Sequence, residues 1–166
     1  MNVILAKSAG FCYGVERAVR LAAQTAEECG GCWMLGDIIH NASVVEELER
    51  RGVRKAESPE ELSSGDVAVI RSHGESKEIL LMLEGRGVRC VNATCPNVMR
   101  IQNLVAQAER EGRQTVIIGD PGHPEVRGIA SWCSAPLIFD TSDALSKWIS
   151  GQNSPCEIPV TVVAQT

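Results

Sequence analysis

The sequence predicts an α/β protein made of two similar parallel-sheet lobes. Short apolar, β-branched runs alternate with helical patterns along nearly the whole chain, as expected for parallel strands covered by helices on both faces. In addition, one unit (apolar run, cysteine, helix) occurs twice with the same spacing, as Cys12-Tyr-Gly-Val15-Glu-Arg17 and Cys95-Pro-Asn-Val98-Met-Arg100. A boundary at Cys95–Pro96 gives lobes of residues 1–95 and 96–166.

Taken in order, Val3–Ala6, within the stretch Asn2–Ala6, reads as a first strand. Gly10–Gly14 reads as a turn, opening a helix over Val15–Cys29. Further strands are predicted at Cys32–Leu35, Val53–Lys55, Val67–Ile70, Val88–Asn92, Thr115–Ile118, Leu137–Phe139 and Val160–Ala164. Helices are predicted at Ser43–Arg51, Pro59–Leu62, Lys77–Arg86, Asn97–Glu111, Pro124–Trp132 and Ser142–Ile149. Ser58-Pro59-Glu60-Glu61 has the order of an N-cap, a proline at the first helical position and acids in the first turn. Gly52, Gly87 and Gly112 fall where glycines end helices.

With 166 residues, 44% hydrophobic and 22% charged, the chain has the composition of a soluble globular protein able to bury a core. A net charge of −5 gives no footprint for nucleic acid. No window is apolar for long enough to span a membrane. The N-terminus has no signal-peptide pattern, so a cytoplasmic protein is expected. Seven cysteines in a reducing compartment favour metal or redox chemistry over a disulfide framework. The last predicted strand enters a loop at Thr166 with no helix after it, which predicts an incomplete chain.

The candidate chemistry sits at strand ends. Cys95 follows an apolar run and precedes a proline that opens a helix, a position where the helix N-terminus favours thiolate over thiol. Cys12 has the same setting. His40, His73 and His123 each lie just after an apolar run and just before a helix, so imidazoles and helix N-termini together can cradle a phosphate or diphosphate. Glu125 is either an acid complementing the dipole of its helix or a proton donor to whatever the histidines hold. Cys29-Gly-Gly-Cys32 is a C-x-x-C at a helix C-terminus, where the dipole disfavours thiolate; zinc or thiol-redox use of it ranks last. Cys90, Cys133 and Cys156 lack the strand–Cys–helix setting.

The motifs G-F-C-x-G-V-x-R-A, I-x-H-N, S-H-G, A-T-C-P-x-V and G-H-P-E, in this order from Met1 to Thr166, resemble 4-hydroxy-3-methylbut-2-enyl diphosphate reductase, the iron–sulfur enzyme ending the methylerythritol phosphate route to isoprenoids. The resemblance implies a three-lobed pseudo-symmetric fold of which this chain supplies two lobes, the first strand leaning on the third. It implies reductive removal of an allylic hydroxyl, giving isopentenyl and dimethylallyl diphosphates, with ferredoxin or flavodoxin as electron donor. It also implies a 4Fe-4S cluster with Cys12 and Cys95 as two of three ligands, the third lying beyond Thr166. By position, His40, His73 and His123 resemble substrate-binding histidines, Glu125 the proton donor, and Thr166 a threonine orienting the substrate. A non-enzymatic two-lobed diphosphate-binding or interaction module is the competing expectation.

Overall fold

Two parallel sheets organise the chain. The structure, a computed structural model, describes residues 3–4, 6–7, 9–39, 41–151 and 159–166. Tyr13–Cys29 (α1) leads into Cys32–Leu35 (β1), Ala42–Arg50 (α2), Val53–Ala56 (β2), a 3-10 turn at Pro59–Glu61, Val67–Ile70 (β3), Lys77–Gly85 (α3) and Arg89–Asn92 (β4). Pro96–Arg110 (α4), Gln114–Ile118 (β5), Pro124–Ala130 (α5), Leu137–Phe139 (β6), Ser142–Ser150 (α6) and Val160–Ala164 (β7) follow. The first sheet has the order β2-β1-β3-β4 and the second β6-β5-β7, every neighbouring pair being parallel. The path β1, out to β2, back to β3 is repeated by β5, β6 and β7.

The strands β1, β3, β6 and β7 have the predicted bounds, and the others differ by one residue at an end. Pro59–Leu62 forms only a 3-10 turn: the Glu61 carboxylate accepts from the Glu57 and Ser58 N–H groups and closes the segment within one turn. The helix α5 stops at Ala130, two residues early, where the Ser131 hydroxyl donates to the Gly128 carbonyl. The first strand is a correction. Asn2 and Leu5 lie outside the described residues, while Val3, Ile4 and Ala6 belong to no strand. A strand exists through a neighbour's N–H and C=O groups, and none of these three residues pairs with either sheet. Val3 and Ile4 are 86% and 94% exposed.

Alternation along each strand feeds both faces of the first sheet. Met34 and Val69 meet Ala18, Ala22 and Ala26 of α1 and Leu48 of α2. Small alanines let α1 lie close on the strands. On the other face Leu35, Ala68 and Ile70 pack with Leu62 and with Leu83 of α3. The second lobe closes on Ile117 and Val163, packed with Val105 of α4 and with Val126 and Ile129 of α5. The helix α6 buries no residue fully and meets its sheet through Phe139 and Trp148, ring centroids 5.9 Å apart.

Ile117 is fully buried at the centre of the second lobe, whereas Val162 on β7 is 63% exposed. Ile117→Ala is expected to lower the unfolding free energy by about 2–5 kcal/mol in a urea titration. Val162→Ala should change it by no more than about 0.5 kcal/mol. Equal effects would show that β5 is not the centre of this core.

Candidate functional site

Topology decides where a site can form. In each sheet the chain leaves the central strand on one side and returns on the other, and ligands collect outside the carboxyl ends of strands at such a reversal. The loops at these points follow β1, β3, β5 and β7. His73 lies on the loop after β3, His123 on the loop after β5, and Thr166 follows β7. His40, between β1 and α2 in sequence, lies outside the described residues.

The two lobes meet in a cleft of about 320 Å³ that brings together Cys12, His73, Cys95, His123, Glu125 and Thr166. Gly14, Ser72, Asn97 and Gln165 also line it, none of them singled out from sequence. A larger groove of about 390 Å³ between α1 and α2 contains none of the candidate residues. It is a surface furrow whose wall carries the ion-paired Glu47 and Arg51.

Cys12 and Cys95 are the N-cap residues of α1 and α4, and neither side chain caps its helix. Both sulfurs therefore stand at a helix N-terminus without being used by the backbone there. The helices approach closely enough that a Cβ built on Gly14 would lie 2.6 Å from the Cys95 Sγ. Only glycine leaves that space. A glycine inside a helix costs about 1 kcal/mol relative to alanine, so Gly14 two residues after Cys12 was a readable signal of close packing.

Glu125 stands in the first turn of α5 and is 3% exposed. Its Oε1 accepts from the Thr166 N–H at 2.7 Å and from the Thr166 hydroxyl at 2.9 Å, with Oε2 3.0 Å from the same hydroxyl. The buried carboxyl is thus held by the residue that follows β7. His123 caps α5, its Nδ1 accepting from the Glu125 N–H at 3.1 Å. In the neutral ring the proton is then on Nε2, which can donate to a ligand. His73 stands edge-on to His123, ring centroids 5.5 Å apart and planes at 78°. Two imidazoles, the Ser72 loop and two helix N-termini make a cleft suited to an anion next to a buried acid and two thiols.

The loop carrying His73 is braced from behind. Gly74 has φ +78°, and a Cβ there would meet the Gln102 side chain at 2.8 Å, so the glycine of S-H-G is required twice over. Glu75 is 5% exposed and pairs with Arg71 at 2.6 Å. Burial pushes its carboxyl above the usual glutamate range, against the pull of Arg71.

A family model described as LytB protein matches residues 3–166. The chain is 43% identical over 137 residues to the 4-hydroxy-3-methylbut-2-enyl diphosphate reductase of Caldanaerobacter subterraneus subsp. tengcongensis, covering 80% of this chain and 48% of that protein. It is 39% identical over 166 residues to the reductase of the same name from Syntrophotalea carbinolica, covering 100% of this chain and 58% of that one. A solved structure of (E)-4-hydroxy-3-methyl-but-2-enyl diphosphate reductase superposes with a TM-score of 0.83 at 36% identity, over 99% of this chain and 58% of that chain. The reductase from Plasmodium falciparum shares the fold, with a TM-score of 0.87 at 24% identity over 96% of this chain and 50% of its own. The chain spans about half the length of the curated relatives it matches.

The other described cysteines stand apart from the cleft. Cys32 is 2% exposed on β1, and burial pushes its thiol up to about 11. Its sulfur faces the Ala22 carbonyl at 3.7 Å. Cys29 is exposed and close to the Arg89 guanidinium. Burial also raises the thiols of Cys90 and Cys133, and Cys156 lies outside the described residues. No group of three or more His, Cys, Asp or Glu side chains that could hold a metal ion occurs among the described residues. Treating the folded, reduced protein with iodoacetamide near neutral pH is expected to modify Cys29 and leave Cys32 unmodified until denaturant is added. Modification of both at similar rates, read by peptide mass spectrometry, would contradict the buried, protonated Cys32 and reopen the C-x-x-C as a redox pair.

Proposed function

The chain belongs to the LytB family, and we propose that it forms the part of a 4-hydroxy-3-methylbut-2-enyl diphosphate reductase that binds the diphosphate, carries the proton donor and supplies two cluster ligands. The observation that carries this reading is the single cleft joining Cys12 and Cys95 to His73, His123 and the Glu125–Thr166 pair. The lobes divide at Cys95–Pro96, into residues 1–95 and 96–166. Among the described residues no helix is long and apolar enough to cross a membrane.

The reaction breaks the allylic C–O bond of 4-hydroxy-3-methylbut-2-enyl diphosphate. Two electrons and two protons are consumed, water leaves, and isopentenyl or dimethylallyl diphosphate is released. His123 and His73, with His40, hold the diphosphate, the Nε2–H of His123 donating to a phosphate oxygen. Helix N-termini at the cleft add positive potential where the anion sits, which matters for a chain whose net charge is −5. Glu125 delivers the proton to the departing hydroxyl. Its burial turns the carboxyl to the cleft and not to bulk water, and the two Thr166 donors fix the carboxyl orientation.

Cys12 and Cys95 fit two ligands of a 4Fe-4S cluster, because both sulfurs face one cleft from helix N-termini and neither is spent on capping. A third ligand has to come from outside the described residues. When bound, the cluster supplies the electrons, received from ferredoxin or flavodoxin, and an electrophilic iron.

Calorimetric titration of the folded chain with inorganic diphosphate tests the anion half of this reading. Binding is expected, weakened about tenfold or more by His73→Ala and by His123→Ala, as for loss of a charge-assisted hydrogen bond. Binding that both variants retain unchanged, or no binding to the wild-type chain, would overturn it.

A further inference from the structure

The structure assigns to Arg17 the role of a positioning residue that aims the Cys95 sulfur into the cleft. The inference rests on the reading that Cys12 and Cys95 serve one site, and it concerns how this chain keeps the second sulfur there. Arg17 lies on α1, five residues after Cys12, and is half-buried. Its Nη1 donates to the Thr94 carbonyl and its Nη2 to the Asn92 carbonyl, each at 3.2 Å. The Thr94 carbonyl belongs to the peptide group whose nitrogen is that of Cys95, and the Cys95 N–H donates to the Ser72 carbonyl at 2.8 Å. That peptide is held at both ends, by α1 on one side and by the loop carrying His73 on the other.

The peptide that follows Cys95 is held too, its carbonyl accepting from the Met99 N–H at 2.9 Å; with the planes on both sides of the Cys95 Cα fixed, the Cα–Cβ direction is fixed, and the sulfur has only one further rotatable bond. The Asn92 side chain adds a second lock, its Oδ1 accepting from the Thr94 N–H at 2.9 Å. Gly14 supplies the complementary space, its missing Cβ being what lets the Cys95 Sγ approach α1. Along α1, Cys12, Gly14 and Arg17 thus act together: a first sulfur, a notch for the second, and a planar donor that grips the backbone before it. A guanidinium suits this task because two of its N–H groups reach two carbonyls from one rigid plane, which a lysine ammonium does not reproduce.

The test is cross-linking in the reduced, metal-free chain with dibromobimane, which joins two nearby thiols, followed by peptide mass spectrometry. Wild type is expected to give a Cys12–Cys95 bridge. Arg17→Met should slow that bridging about tenfold, as for loss of hydrogen bonds from a charged donor, and Arg17→Lys should fall between. Alkylation of Cys29, at the far end of α1, should be unchanged in both. A purely structural arginine would lower the melting temperature and leave the bridging rate of the folded protein alone; that result overturns the proposal. If Arg17→Met does not fold, Arg17→Lys decides, and bridging at the wild-type rate in that variant likewise overturns it. If wild type itself forms no Cys12–Cys95 bridge, the shared site fails, an outcome distinct from failure of the Arg17 role.

Discussion

The close approach of α1 to the start of α4 is the constraint on which the rest of the cleft depends. Each helix begins at a cysteine, and each N-terminus offers unpaired N–H groups and a partial positive charge. Two such ends repel each other unless something holds them together. Alanines at 18, 22 and 26 seat α1 on the first sheet, while Gly14 removes the atom that would collide with the Cys95 sulfur. The free energy for this comes from the apolar core, at roughly 25 cal/mol per Å² of buried apolar surface, rather than from the polar groups it brings together. A cleft lined by positive helix ends and imidazoles is then a place where an anion is stabilising.

The second organising fact is the repeat. One path, centre to edge and back to the other side of the centre, is traced twice, by β1–β3 and by β5–β7. Each passage through the reversal leaves loops at the carboxyl ends of the central strands, and the described candidate residues other than the two cysteines lie on or just beyond these loops. The buried acid shows how the repeat is used. Glu125 comes from the segment after β5 and Thr166 from the end of β7, and the five-residue parallel pairing of these strands brings together groups 41 residues apart.

Much of this was legible in the sequence. Four strands are bounded as predicted because short apolar runs are set off by glycine, proline or polar residues, and helix ends follow from glycines and caps. The places of His73, Cys95 and His123 were legible because in parallel α/β architecture a residue between a strand and the next helix lies at the carboxyl end of the sheet. The Glu125–Thr166 contact was not, since it depends on strand pairing over a long separation. The choice between a dipole-complementing acid and a proton donor also turns on burial, which spacing does not report. The stretch Val3–Ala6 failed for a related reason: local pattern measures the propensity of a strand but not whether an edge is there to receive it. Arg17 stood inside the repeated motif, yet its hydrogen bonds run to backbone carbonyls on β4 and just beyond, which no side-chain pattern records.

The proposed function needs Cys12 and Cys95 to act together at one iron–sulfur site in the cleft. The most direct measurement is anaerobic reconstitution of the chain with iron and sulfide in the presence of an exogenous thiol, followed by iron counting and an absorption spectrum. Thiolate-to-iron bands and bound iron are expected, lost in Cys12→Ser and in Cys95→Ser alike, and kept in Cys29→Ser. Iron retained equally by all three variants would contradict it.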